Sequence, residues 1–268
     1  MLELAFLAIL ASEPADVAEK IRPEDLRALV EKARRVQVED IAAWHKYRFQ
    51  RTILREERDE ENGIRKHEKL TFDISPTASG FDEKLTEIEG RAPTKAEAET
   101  YRRQSRFAKH YRGLLGGKGE NSEGKGYSLG LLLRMSSYRF AGIETANEVP
   151  CYRLDFSPDP TRSASGLAGK IVRGMEGSLW LTLGGLHLAR AKARAVRPIS
   201  LALSLGRVYE LEIEMDAIPV GDNTWLPAKI LLKSKDRILL STRNRNNIFR
   251  YLQFEPAATE RVETLRTH

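Results

Sequence analysis

The sequence holds one cysteine, Cys151, which excludes a disulfide within the chain and a thiolate metal cluster. No apolar run comes near the ~20 residues that a membrane-spanning helix needs. None of the five histidines (His45, His67, His110, His187, His268) stands in HExxH or another close metal-ligand spacing. No GxSxG elbow presents a nucleophilic serine. No catalytic residue, metal or cofactor is therefore expected. Basic residues are not gathered either: 44 Lys and Arg are spread along the chain beside 38 Asp and Glu. A nucleic-acid protein concentrates them in a patch or stripe, so nucleic acid is not an expected partner. The formal net charge of +6 favours anionic surfaces without naming one.

What is present suits one large domain. Hydrophobic residues make up 41% and charged residues 31% of 268, enough for a packed core under a heavily charged exterior. Neither a composition break nor a low-complexity linker divides the chain. A single domain is expected over residues 13–256, with a charged helical insertion at about 91–126 and a solvated tail at 257–268. Met1 to Ala11 reads MLELAFLAILA, like the apolar and small-residue parts of a secretory signal, although it carries Glu3 and no Lys or Arg. Residues 1–12 are therefore expected to be a signal peptide, and the protein to be exported, periplasmic in location and monomeric. No cysteine follows to carry a lipid anchor.

Periodicity changes along the chain. Pro23 to Ala43 carries Leu26, Leu29, Val30 and Ala33 at helical spacing, with proline at a first-turn position. From Trp44 to Arg58 the period becomes two: Tyr47, Phe49 and Ile53 share one parity, and Lys46, Arg48 and Gln50 the other. Asn62-Gly63 signals a hairpin. The returning strand places Ile64, Leu70, Phe72 and Ile74 on one face and Arg65, His67, Lys69, Thr71 and Asp73 on the other. A short strand is expected near Phe81 to Glu89. A helix follows over Thr94 to Tyr111, with Thr94 and Glu97 at capping-box spacing. Gly113 to Gly126 is a Gly- and Lys-rich loop, and Tyr127 to Met135 a short helix.

Strands are expected thereafter at Tyr138–Glu144, Val149–Phe156, Met175–Leu183, Leu186–Lys192, Ile199–Leu205, Arg207–Met215, Thr224–Lys233, Arg237–Thr242 and Ile248–Phe254. Asn147, Gly184-Gly185, Gly206, Gly221-Asp222-Asn223 and Lys235-Asp236 read as turns between them. This order predicts an α+β chain: a strongly curved antiparallel sheet of about 11 strands, an incomplete β-barrel, with helices covering its concave side.

Motifs that could carry chemistry have plainer readings. GENSEGKG (residues 119–126) nearly fits GxxxxGK[ST], but Gly126 replaces the magnesium-holding hydroxyl and no apolar strand precedes it. It reads as a surface loop. Glu210, Glu212, Glu214 and Asp216 alternate with Tyr209, Leu211, Ile213 and Met215, a solvated strand face rather than converging calcium ligands. Cys151 reads as a small core residue, and the histidines as satisfied or solvated side chains. The positive signal is the apolar inner set: Tyr47, Phe49, Leu70, Phe72, Phe140, Leu154, Phe156, Leu179, Leu181, Leu211 and Ile213. These residues are expected to line a ligand cavity that the helices do not fill.

Three segments carry a family resemblance. They are GSLWLTLGG (177–185) within Gly174–Leu188, VGDNTWLPAKILLK (220–233) and ETANEVPCYRLDFSP (144–158). The chain resembles the LolA/LolB-like periplasmic lipoprotein carriers, a fold shared with outer-membrane lipoprotein-sorting proteins and RseB-type sensors. The resemblance implies an incomplete barrel lidded by helices, a cavity for lipid or lipoprotein acyl chains, and no catalytic residue. It also implies the rival reading, an envelope sensor or protein-interaction module with a protein partner. Strand parity is open to direct test. Leu211→Asp places an unpaired charge on the inner face and should cost several kcal/mol, while Glu212→Lys on the outer face should leave the thermal midpoint nearly unchanged. Equal effects would overturn the parity.

Overall fold

A computed structural model describes residues 22–59, 61, 63–77, 80–103, 129–163, 166–200, 206–221, 223–238 and 241–257. Expectations for the leader (1–12), the Gly/Lys-rich loop (113–126) and the tail beyond 257 fall outside them. Helix α1 runs Pro23–Trp44. Pro23 opens it where a missing N–H costs nothing, and Glu24 and Asp25 complement the dipole of its first turn. Val30, Ala33, Gln37 and Asp40 are buried along one stripe of α1.

Strands β1 (Tyr47–Arg58), β2 (Ile64–Thr77) and β3 (Gly80–Ile88) form a meander. A helix over 95–103, α2, follows. Then come α3 (Leu129–Met135), β4 (Ser136–Ala146), β5 (Val149–Pro158), α4 (Gly166–Val172), β6 (Met175–Thr182), β7 (Leu188–Ala195), β8 (Ile199–Ser200), β9 (Gly206–Pro219), β10 (Trp225–Ile238) and β11 (Ser241–Pro256). All pairings are antiparallel. The order β3-β2-β1-β11-β10-β9-β7-β6-β5-β4, with β8 beside β9, makes one 11-stranded sheet. Among the described residues the ends β3 and β4 do not pair, so the sheet is an open half-barrel, as expected. Bulges bend it: register slips at Phe140/Gly142, Trp180/Leu181, Pro227/Lys229 and Lys235/Asp236 add local twist.

Two apolar cores lie on one face. The first packs Val30 and Ala33 of α1, Leu133 of α3 and Ile171 of α4 on Leu154, Phe156, Leu179, Leu181 and Leu188. The second gathers Phe49, Ile53, Leu70, Phe72, Ile74, Leu85, Ile88 and Tyr251, with Trp44 and Tyr101 against it. Cys151 is fully buried in a small cluster with Trp180 and Ala189, and burial pushes its thiol up, as a core reading requires.

Several expectations need correction. Lys235-Asp236 is not a turn and 237–242 is not a separate strand; β10 runs through to Ile238 and β11 starts at Ser241. Asp236 finds Arg245 at 3.3 Å across the ladder, and that ion pair overrides its turn preference. Gly206 starts β9 instead of preceding it. Ile64 is 60% exposed, because β3 pairs β2 only from Leu70 onward. Thr71, expected on the wet face, is buried, its hydroxyl donating to Glu87 at 3.2 Å. His45 stands in the turn after α1 and His187 just before β7, not within strands. Helix α4 carried no signal, since its seven residues are too few for periodicity to show. Of the strand expected at 199–205, Ile199–Ser200 is formed, and the rest lies outside the described residues.

The capping box at 94–97 is formed. The Glu97 carboxylate accepts from Thr94 N–H at 2.8 Å, and Glu97 N–H reaches Thr94 Oγ1 at 3.3 Å. Arg91 adds a two-pronged ion pair whose shorter arm is 2.7 Å. The Arg91 guanidinium first, then the Thr94 donors, hold Glu97 down at about 2. Glu97 thus stays charged in the folded chain well below its ordinary value of 4.5. Its support for the start of α2 is full above that value and fades as pH falls towards 2. An NMR titration should place its midpoint near 2, and Arg91→Gln should move it upward. An ordinary midpoint in the unmutated chain would show that the pair is not formed.

Candidate functional site

Residues facing each other across an antiparallel ladder share a side of the sheet, so register maps the inner face directly. One level is apolar from edge to edge: Ile88, Leu70, Ile53, Phe249, Ile230, Met215, Ala191, Leu179, Leu154 and Phe140. Its two ends belong to the two cores. Its middle, Phe249, Ile230 and Met215, is half-buried.

The next level changes character along its length. Phe156, Gly177, Ala193, Ile213 and Leu232 continue into Asn247, Arg55 and Glu68. Gly177 is required there: a Cβ would sit 1.9 Å from the Lys192 carbonyl oxygen. The level beyond runs Leu211, Ser234, Arg245, Glu57 and Lys66. The inner face is therefore a greasy floor with a polar end, where β1 and β10 finish and β11 begins.

That polar end is knitted by ion pairs. Arg245 meets Asp236 at 3.3 Å and Glu57 at 3.4 Å, and Arg55 meets Glu68 at 3.4 Å. Asp236 is 3% exposed, and its Oδ2 has no hydrogen-bond partner among the described residues. Burial pushes the Glu68 carboxyl up, but hydrogen bonds from Tyr101 and Lys66 outweigh it and leave Glu68 below its ordinary value. Burial and the same carboxylate push Tyr101 up to about 12.

A buried polar latch anchors α1 at the other end. Asp40 and His187 are both buried; His187 Nδ1 lies 2.9 Å from Asp40 Oδ2. Asp40 Oδ1 accepts from Trp225 N–H at 3.1 Å, and His187 Nε2 lies 3.2 Å from Asn223 Oδ1. The imidazole stacks on Trp225 at a centroid distance of 6.3 Å. Burial pushes the Asp40 carboxyl up, and the hydrogen bonds from His187 and Trp225 pull against it. Only glycine fits at 185, where a Cβ would meet the His187 ring at 2.5 Å.

The sequence-predicted residues divide among these zones. Phe49, Leu70 and Phe72 lie in the β1–β3 core, and Leu154, Phe156, Leu179 and Leu181 in the β5–β6 core. Phe140, Leu211 and Ile213 are half-buried against the latter. Tyr47 belongs to neither core; its hydroxyl donates to the Val220 carbonyl at 3.4 Å. Ile230, Leu232 and Phe249 are absent from the expected set, although the alternation of ILLKSK and NIFRYL marks them, and so is Met215, although it alternates with the acidic residues of its strand. The charged end had no signal, because its parity shows only in the ladder. Glu210, Glu212, Glu214 and Asp216 face cross-strand Lys235, Lys233, Lys192 and Arg190, as a solvated face requires. No group of carboxylates, histidines or cysteines fit for a metal occurs among the described residues.

No family model matches this sequence, and no curated protein matches it. Solved structures do. A DUF1329 family protein from Desulfovibrio piger is 9% identical, covers 85% of this chain and 93% of its own, and has a TM-score of 0.36. A LolA superfamily protein from Nitrosomonas europaea is 9% identical over 87% of this chain and 94% of its own, at 0.31. The MucA/MucB complex of Pseudomonas aeruginosa contributes a chain 8% identical over 85% and 99%, at 0.24. Such likeness concerns strand arrangement alone. These neighbours include the LolA superfamily that the hairpin segments resemble.

Removing the latch tests how α1 is held. Asp40→Ala removes the partner of the buried His187 ring and of the Trp225 N–H and should cost about 3–5 kcal/mol in urea unfolding. Asp40→Asn keeps an acceptor and should cost less. Equal losses would deny the carboxylate its anchoring role.

Proposed function

We propose that this chain is a non-enzymatic, exported binder of acyl chains, free or carried by a lipoprotein, and that it serves lipoprotein sorting or transport. The apolar level that crosses the whole sheet carries this reading. Its half-buried middle, Phe249, Ile230 and Met215 with Ile213 and Leu232 beside them, is greasier than a solvated sheet face needs to be. Leu179, Leu154 and Phe140 continue this level, with Ile213 and Leu211 on the next two. An acyl chain laid on it gains about 0.8 kcal/mol for each methylene removed from water. The polar end suits the head group of such an amphiphile. No helix among the described residues is long and apolar enough to cross a membrane.

Purification from native envelopes followed by lipid mass spectrometry should recover bound lipid, and a fluorescent fatty acid should titrate saturably. Ile213→Trp fills the floor. Displacing two methylenes costs ~1.6 kcal/mol, or about tenfold in affinity. Glu212→Lys on the outer face should change nothing. Absence of both co-purified lipid and saturable binding would overturn the reading.

A further inference from the structure

A cavity of about 320 Å³ lies outside the apolar floor, lined by Pro158, Asp159, Pro160, Arg162, Arg173, Val196 and Arg197. It forms where β5 ends, α4 ends and β7 turns towards β8. The turn is fixed from both sides: Gly174 N–H donates to the Ile171 carbonyl and Val196 N–H to the Gly174 carbonyl, each at 2.8 Å. Three guanidinium groups therefore line one hollow from three separate segments.

Their charge is not balanced. Among the described residues Asp159 is the one carboxylate in the lining, and it is already committed. It pairs with Arg162 at 3.1 Å and accepts from the Thr161 hydroxyl and backbone N–H at 2.6 and 2.9 Å. The Thr161 hydroxyl, first among these contacts, holds Asp159 below its ordinary range, so it remains charged. Arg173 donates from Nε to the Gly169 carbonyl at 3.4 Å, and Arg197 from Nη2 to the Arg173 carbonyl at 3.3 Å. Neither has a carboxylate partner among the described residues. Those carbonyl bonds cap the end of α4 and orient the two side chains, yet they use one donor apiece of the five a guanidinium offers.

We propose that this cavity binds inorganic phosphate or a phosphomonoester. Two uncompensated guanidiniums match a dianion, and their planar forks match its tetrahedral oxygens. The walls that carry no charge, Pro158, Pro160 and Val196, hold the cavity open without competing for the anion. The volume stands at the small end of the ~300–1,000 Å³ usual for ligand sites, enough for a phosphate group and what it is attached to. The same chemistry is offered by a soluble phosphomonoester and by the head group of a phosphatidic acid. The inference does not rest on the acyl-chain reading.

The full chain should be titrated calorimetrically with inorganic phosphate at low salt. In parallel it should be co-sedimented with phosphatidylcholine vesicles, with and without phosphatidic acid. At least one arm should show saturable binding that added salt weakens. Arg173→Gln with Arg197→Gln should weaken it about tenfold or more. Arg194→Gln, on the outer face beside Glu176, should leave it unchanged. Should the double variant melt early, Arg197→Gln alone, at an exposed position, keeps the comparison. Binding of soluble phosphate assigns the site to a free phosphomonoester; binding only to phosphatidic acid vesicles assigns it to a lipid head group. Failure of both arms, or a double variant that binds as the unmutated chain does, would overturn the proposal.

Discussion

Cross-strand register is the constraint on which the inner face depends. A strand contributes one apolar residue at a given level, and no single strand carries a floor. The floor exists because antiparallel pairing turns Ile53, Phe249, Ile230, Met215 and Leu179 to the same side of neighbouring strands. A slip of one residue would put Leu54, Arg250 and Leu231 onto that side instead, and with Arg250 a charge. The bulges at Trp180/Leu181 and Lys235/Asp236 matter for this reason: each resets a level as the sheet bends.

Covering such a face is the work of few helices. α1, α3 and α4 pack over strands β4 to β9, and Tyr101 of α2 and Trp44 of α1 reach the β1–β3 core. α1 is held less by grease at its far end than by Asp40, which joins the helix to the β6–β7 turn through His187 and to β10 through Trp225. A buried ionisable pair is a costly way to hold a helix, since desolvation opposes it, but it is directional where apolar contact is not. The same trade recurs at Asp236 and Arg245.

Polarity is distributed along the inner face, not across it. Apolar levels change to Asn247, Arg55 and Glu68 on one side, and the arginine-lined hollow stands beyond Phe156 and Met175 at the strand ends. An amphiphile has this same gradient, with a long apolar part that gains from area and a compact charged part that gains from placed donors.

Much of this was legible in the sequence. Alternation in YRFQRTI and LTFDI marks one-faced strands because side chains on a strand alternate with period two, and the Thr94–Glu97 spacing marks a helix start because it closes two backbone bonds locally. Fold class, the succession of strands along the chain and the apolar residues at the two ends of the floor follow from such short-range rules. The extent of β10 and β11, the exposure of Ile64, the Asp40–His187 latch and the arginine cavity do not. Each depends on strand pairing or on contacts between elements, as Asp236 joins Arg245 across a ladder and Arg197 meets Arg173 between segments, and propensity at one position yields to a partner that only the assembled structure brings within reach.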